Sequence, residues 1–221
     1  MLLNKKKIFL GTAQFLSNYG ATNFIGLKSK KYFFDLLELA GNSGVYNYDT
    51  AYNYKSEKLI GEFLGVHKIK NAKICTKFYG LDLNYQSQVR YKIDSCLKNL
   101  KQEIYTLFFH NVNDIKYFEK DPEFFLNLTK NYPIKKIGFS IYNPSEIKNI
   151  KEKQKICLQI PYNIVNQKFE NITKKYKFKS IFVRSLFLQG ILVNQIIKKK
   201  YQNKFTKKIK DSLSKYFLFL R

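Results

Sequence analysis

The stretch VYNYDTAYNYKSEKLIGEFLG, residues 45–65, passes from an apolar run through a polar turn into a helical pattern. Asp49 ends the apolar run, and Tyr54 follows five positions later in a tyrosine-rich turn. Ser56 precedes the helical pattern, as a helix-capping serine would. A strand that leads through a turn into a helix is one βα unit, and the same order recurs along the rest of the chain.

Seven β-rich runs alternate with helical patterns. Strands are predicted at residues 7–12, 45–50, 72–78, 104–110, 135–142, 156–163 and 180–187, and helices at residues 30–44, 56–65, 87–100, 121–132 and 144–150. This alternation is typical of a mainly parallel sheet with helical crossovers. No linker or low-complexity tract interrupts residues 1–221, so we expect a single domain.

Two architectures fit this order, a doubly wound sheet and a (β/α)8 barrel of the TIM type. The first predicted strand runs into GTAQF, which has one glycine where a dinucleotide-binding sheet would have G-x-G-x-x-G. Polar residues end several different strands, as they do in barrel enzymes: Asp49, Lys77, His110, Ser140, Gln159 and Ser185. The sequence therefore favours the barrel.

Four of the polar residues near strand ends suit one reaction. A free tyrosine has a pKa of about 10, and a neighbouring ammonium group lowers it. Lys77 could act in this way on Tyr54, while Asp49 would keep Lys77 charged and oriented. His110 could hydrogen-bond a substrate carbonyl oxygen. Such a set suits the protonation of an oxygen that gains negative charge as hydride reaches the carbon.

The chain resembles the aldo-keto reductases, which are NADPH-dependent (β/α)8 barrels. The resemblance rests on YDTAYNYKSEKLIG, ICTKF, IYTLFFHN, KKIGFSIYN, LQIPYN and RSLFLQGIL, in family order. It implies that Tyr54 is the general acid of a carbonyl reduction, assisted by Asp49, Lys77 and His110. It also implies that NADPH is the cofactor, with Ser140 and Gln159 at the nicotinamide carboxamide and Ser185 near the phosphates. The substrate would be a small aldehyde or ketone.

Three features depart from the family pattern. Lys55 replaces a glycine next to the proposed acid, and Arg184 replaces an aromatic residue that stacks on the nicotinamide, although a guanidinium can also stack. Residues 194–221 read as a lysine-rich helical tail in place of the eighth βα unit. We expect an incomplete barrel of about seven units, with self-association through the open edge as one way to close it. A catalytically impaired or regulatory relative that has lost tight cofactor binding is the alternative function.

Composition limits the other partners. The net charge is +24, but only three of the 40 basic residues are arginines, which favours a solvated lysine surface over a nucleic-acid-binding one. The three cysteines form no CxxC pair, so we expect a reducing compartment and no metal site. No apolar run approaches the roughly 18 residues of a membrane span. The sequence thus predicts a cytoplasmic protein without a nucleic-acid or membrane partner.

Overall fold

Seven parallel strands form one curled sheet in the computed structural model, which describes residues 4–17, 19, 28–78, 80–147 and 150–190. The strands are β1 (Leu10–Gly11), β2 (Tyr48–Asp49), β3 (Ile74–Phe78), β4 (Thr106–Phe109), β5 (Ile137–Ser140), β6 (Cys157–Pro161) and β7 (Ser180–Arg184). Each strand pairs with its neighbours in chain order. Each lies within one predicted run. The prediction of an incomplete (β/α)8 barrel is confirmed for the described part of the chain.

The crossovers carry six α-helices among the described residues. They are α1 (Lys30–Asn42), α2 (Glu57–Val66), α3 (Tyr85–Leu100), α4 (Ile115–Lys120), α5 (Pro122–Asn131) and α6 (Glu170–Lys175). Asp121 begins α5 by accepting a hydrogen bond from Phe124 N, with Pro122 at the first helical position. The sequence pattern did not predict α4 and α6, which are only six residues long. The helix predicted at residues 144–150 is a 3-10 helix over Pro144–Ile147.

The interior of the curled sheet is filled by cysteine and aromatic side chains. Cys75, Phe108 and Cys157 are buried there, with Phe9, Tyr105 and Phe182 packed against them. The rings of Phe9, just before β1, and Phe182, on β7, lie 5.6 Å apart between centroids. The first and last described strands therefore approach each other across the interior, as the curvature of a barrel requires.

Hydroxyl groups join β1, β2 and the start of α2. The Ser56 hydroxyl lies 2.9 Å from both Thr12 Oγ1 and Thr50 Oγ1, and Thr12 Oγ1 also donates to Asp49 O at 3.2 Å. All three hydroxyl residues are fully buried. Ser56 makes no side-chain cap on α2, so the capping role predicted for it is wrong. Its hydroxyl is used instead to fix the turn that carries Tyr54.

Two further expectations concern the predicted tail and membrane-spanning helices. The lysine-rich helical tail predicted over residues 194–221 lies outside the described residues. Among the helices that the structure describes, none combines the length and apolar character needed to cross a membrane.

Gly61 permits a close contact between two crossovers. A Cβ atom at Gly61, within α2, would lie 2.1 Å from Asn99 O and 2.9 Å from Leu100 O, near the end of α3. Both atoms belong to backbone, which cannot move aside as a side chain would. Any larger residue must therefore separate α2 from α3.

We predict that Gly61→Ala lowers the free energy of unfolding by about 2 to 3 kcal/mol, because the methyl group overpacks the contact between α2 and α3. Gly65→Ala is the matched control, since a Cβ atom there meets nothing within 4 Å. This second change should stabilise the helix by up to about 1 kcal/mol. Urea unfolding measures both, and equal effects of the two substitutions would contradict the packing described for Gly61.

Candidate active site at the carboxyl ends of the strands

A buried ion pair lies at the ends of β2 and β3. Lys77 Nζ is 2.6 Å from Asp49 Oδ1 and donates a second hydrogen bond to Thr50 O at 2.9 Å. The Lys77 side chain is 1% exposed and that of Asp49 is 19% exposed. A buried ammonium group is costly unless it is paired and hydrogen-bonded, and here it is both. The structure therefore brings the predicted partners Asp49 and Lys77 together.

This ion pair continues into a hydrogen-bonded network across the barrel mouth. Gln159 Nε2 donates to Asp49 Oδ1 at 3.1 Å, and Ser140 Oγ donates to Gln159 Oε1 at 3.1 Å. Ser140 and Gln159 are both almost fully buried. Residues for which separate roles are predicted, in the reaction and in cofactor binding, thus share one network.

Tyr54 lies beside the ion pair, in the 3-10 turn Tyr52–Tyr54 that follows β2. Lys77 Nζ is 5.7 Å from the centroid of its ring. The pKa of Tyr54 is raised well above its ordinary value, first by burial and then by the Asp49 carboxylate. The net direction is opposite to the lowering predicted for Lys77, and the effect of Lys77 itself on this pKa stays a prediction. The phenol is protonated throughout the neutral range.

His110 follows β4 and is half-buried. Its backbone N–H donates to Phe78 O at 2.9 Å, which fixes the residue at the strand ends. Burial, followed by the positive charges of Lys77 and Arg184, lowers the pKa of His110 to about 4. The imidazole is neutral at physiological pH and carries one N–H donor.

Arg184 ends β7 and faces the same mouth. Its Nη2 donates to Ile141 O at 3.2 Å, and its guanidinium carbon lies 4.1 Å from the centroid of the Tyr142 ring. The positive charge of Arg184 lowers the pKa of both Tyr54 and His110, although other effects raise that of Tyr54 overall. The stacking capacity expected of this guanidinium is thus used on a tyrosine of the protein itself.

Ser185 stands apart from the network. It follows β7 with a φ of 59°, and its carbonyl oxygen accepts a hydrogen bond from Asn163 Nδ2 at 3.1 Å. Among the described residues, no hydrogen bond links its side chain to Asp49 or Gln159. The structure brings Ser185 to the same end of the barrel but not into contact with the ion pair.

Two groups of the site were not predicted from the sequence, the ring of Tyr142 and the carbonyl group of Thr50. Tyr142 follows Ser140 by two positions, and residues two apart on a strand share one side, so this spacing was a usable signal. The Thr50 carbonyl could not be identified from side-chain chemistry, because any residue there would present the same acceptor to Lys77. Both missed groups contact a cation, Arg184 or Lys77.

Lys55 has a left-handed backbone, with a φ of 59° and a ψ of 3°. Glycine adopts this conformation without the steric cost that a Cβ atom brings. The departure from the family's glycine is therefore accommodated by keeping the glycine-like backbone. The turn that presents Tyr54 is preserved at some cost in free energy.

Comparisons with known proteins give one family. The family model described as "Aldo/keto reductase family" matches residues 7–216. No curated protein sequence matches the chain significantly.

Solved structures share the fold at low identity. A Pseudomonas aeruginosa protein described as an aldo-keto reductase superposes with a TM-score of 0.64 and 23% identity, over 81% of this chain and 73% of that one. The glycerol dehydrogenase of Gluconobacter oxydans superposes with a TM-score of 0.68 and 16% identity, over 94% of this chain and 71% of that one. A Bombyx mori aldo-keto reductase in complex with NADP superposes with a TM-score of 0.63 and 19% identity, over 81% of this chain and 62% of that one.

We predict that the His110 imidazole titrates with a pKa of about 4, because burial and two neighbouring cations disfavour its protonation. The unfolded chain binds this proton near pH 6.5, so stability should fall as the pH drops from about 6.5 towards 4. Nitrogen-15 NMR measures the titration, and His67→Gln assigns the signal because the chain has only two histidines. A midpoint near 6.5 would contradict this description of the site.

We predict that Lys55→Gly raises the free energy of unfolding by about 1 kcal/mol, because glycine relieves the left-handed strain. Lys58→Gly is the control, since residue 58 is exposed and lies within α2. It should cost about 1 kcal/mol in helix propensity. Thermal or urea unfolding compares the two, and a loss of stability in both variants would refute the strain at Lys55.

Proposed function

The chain belongs to the aldo/keto reductase family, and from this we propose that it reduces an aldehyde or ketone to an alcohol with hydride from NADPH. The observation that carries the proposal is the buried pair of Lys77 and Asp49, with Tyr54 beside it. Burial of a charge is costly, and this pair lies where barrel enzymes hold their reactive groups. His110 is the fourth member of the proposed catalytic set.

Tyr54 is the proposed proton donor. When bound, the cofactor supplies a hydride to the carbonyl carbon, and the carbonyl oxygen then carries the electron pair of the broken π bond. The Tyr54 hydroxyl donates its proton to that oxygen, which leaves a phenolate and a neutral alcohol. The raised pKa of Tyr54 keeps its phenol protonated until the reaction. The proton transfer remains favourable because an alkoxide is a stronger base than a phenolate.

Lys77 and His110 support the same proton transfer at different oxygen atoms. The Lys77 ammonium lies near the ring on which the phenolate forms, and its attraction for that phenolate appears only as the reaction proceeds. Asp49 and Thr50 O hold the ammonium in place. The neutral His110 imidazole can donate a hydrogen bond to the carbonyl oxygen without delivering a proton to it.

The residues proposed for the cofactor fit a nicotinamide. Ser140 and Gln159 already pair a hydroxyl with a carboxamide, and Gln159 retains one amide hydrogen while Ser140 retains acceptor capacity. A second carboxamide can be held by these same groups. Ser185 and Arg184, which follow one another at the end of β7, are the proposed contacts for the remainder of the cofactor.

We predict that Tyr54→Phe lowers kcat for carbonyl reduction by about 100-fold to 10,000-fold, because it removes the proton donor. The affinity for NADPH, measured by fluorescence titration, should stay nearly unchanged. Tyr52→Phe is the matched control, because Tyr52 lies in the same turn, and it should keep its turnover.

Two results would count against the proposal. Full turnover of Tyr54→Phe with every accepted carbonyl would remove Tyr54 from the mechanism. A folded wild-type protein without measurable affinity for NADPH or NADH would reject the oxidoreductase function itself.

A further inference from the structure

The amino ends of the strands carry a second set of inward-facing polar side chains, which the proposed reaction does not use. Lys73 lies two residues before Cys75, and Ser180 lies two residues before Phe182, so both share the interior side of their strands. Lys136, just before β5, reaches the same place, because its Nζ donates to Ser180 Oγ. Cys75 and Phe182 belong to the apolar layer beneath the candidate active site. The barrel interior therefore has polar groups on both sides of that layer.

The ammonium group of Lys136 is partly buried and is held by uncharged groups. Its Nζ donates to Tyr105 OH and to Ser180 Oγ, both at 3.1 Å, and one of its three hydrogens is left over. Unlike Lys135 beside it, which pairs with Glu103, Lys136 has no carboxylate partner in the described part of the chain. A partly buried charge is stabilised by an opposite charge. The described residues supply none here.

Lys73 brings a second positive charge to the same ring. Lys73 Nζ lies 5.1 Å and Lys136 Nζ lies 4.7 Å from the centroid of the Tyr105 ring, so the two ammonium groups are at most about 10 Å apart. Burial raises the pKa of the Cys157 thiol, whereas the positive charges of Lys136 and Lys179 lower it, so a third cation acts on the same region. These like charges repel one another. An anion beside the ring would relieve the repulsion.

The hydroxyl group of Tyr105 adds an uncharged donor. Because it accepts a hydrogen bond from Lys136, its own hydrogen points elsewhere, and no described group accepts it. The ring of Phe9 stacks on that of Tyr105, with centroids 6.1 Å apart, and holds it in place. The site therefore offers the Tyr105 O–H, one N–H of Lys136 and the N–H groups of Lys73.

Acidic residues do not neutralise this end of the barrel. The segments that lead into the seven strands are residues 4–9, 43–47, 67–73, 101–105, 132–136, 150–156 and 176–179. They contain many lysines and only two acidic residues, Glu103 and Glu152. Glu103 pairs with Lys135, and Glu152 pairs with Lys155. The charges inside this end of the barrel are therefore open to an anion from outside the protein.

We propose that the amino end of the barrel binds a phosphate group, free or carried by a small molecule, at Lys73, Lys136 and Tyr105. A phosphate monoester has a charge of about −1.5 to −2 at pH 7 and three acceptor oxygens, which match two ammonium groups and a hydroxyl donor. Lysine binds phosphate as a point charge. All three side chains are partly exposed, so a ligand can reach them from solvent. The site is separate from the one proposed for NADPH and does not depend on carbonyl reduction.

Titration with inorganic phosphate tests the site in the full chain. Calorimetry at low ionic strength measures the affinity with and without saturating NADPH, which covers phosphate sites at the other end of the barrel. Lys136→Gln should bind phosphate at least about tenfold more weakly, and Tyr105→Phe about threefold to tenfold more weakly. Lys135→Gln is the matched control, because it removes the same charge from the neighbouring, exposed lysine. It should bind phosphate as the wild type does.

Further probes separate the sources of the phosphate group. Glycerol 3-phosphate and neutral glycerol are titrated in the same way. If glycerol 3-phosphate binds more tightly than inorganic phosphate and glycerol does not bind, the site takes a phosphorylated small molecule. If inorganic phosphate binds more tightly, the site takes the free anion. Both results support the proposal, provided that Lys136→Gln weakens the binding and Lys135→Gln does not.

Three results would overturn the phosphate site. They are the absence of phosphate binding by the folded wild type, equal losses of affinity in Lys135→Gln and Lys136→Gln, and displacement of phosphate by NADPH. Equal losses, also seen with a single-stranded oligonucleotide, would instead indicate a general attraction of the lysine-rich surface for polyanions. Circular dichroism verifies folding. If Lys136→Gln does not fold, Tyr105→Phe decides, because it keeps the ring that stacks on Phe9 and removes only the hydroxyl.

Discussion

The buried ammonium group of Lys77 is the constraint on which the site depends. Removing such a charge from water costs several kcal/mol, and the cost is offset only by close, well-oriented partners. Asp49 and Thr50 O supply them, so the ends of β2 and β3 must stay in register. Gln159 extends the same requirement to β6 and, through Ser140, to β5. A single buried cation thus fixes the relative positions of four strand ends.

The layering of the barrel interior explains how this polar cluster comes to lie at the carboxyl ends of the strands. Side chains two residues apart on a strand share one side, so β3 places Cys75 and then Lys77 inside. In the same way β6 places Cys157 and then Gln159, and β7 places Phe182 and then Arg184. On each strand an apolar side chain lies below a polar one. The aromatic and cysteine layer closes the interior beneath the reactive groups.

Much of this arrangement could be predicted from the sequence. Each barrel strand is a local apolar run, and the polar residue at its end directly follows that run in the sequence. The positions of Asp49, Lys77 and His110 at strand ends followed from this pattern. What could not be predicted depends on partners distant in sequence. The hydroxyl of Ser56 bonds to Thr12, 44 residues away, in place of the local cap. The pKa of Tyr54 is raised first by burial, which depends on how the whole site packs around the ring. The helices α4 and α6 could not be predicted for a different reason. Six residues are too few for an apolar periodicity to distinguish a helix from a loop.

The unbroken order of the strands also governs how the site can be assembled during synthesis. Each strand pairs with the one made just before it, so no strand waits for a distant partner. The residues proposed for proton transfer all lie between residues 49 and 110, whereas those proposed for the cofactor lie between residues 140 and 185. Chains are made from the amino terminus and can begin to fold as they emerge from the ribosome. The nascent protein can therefore form its ion pair on β2 and β3 before the residues that would receive the nucleotide have been translated.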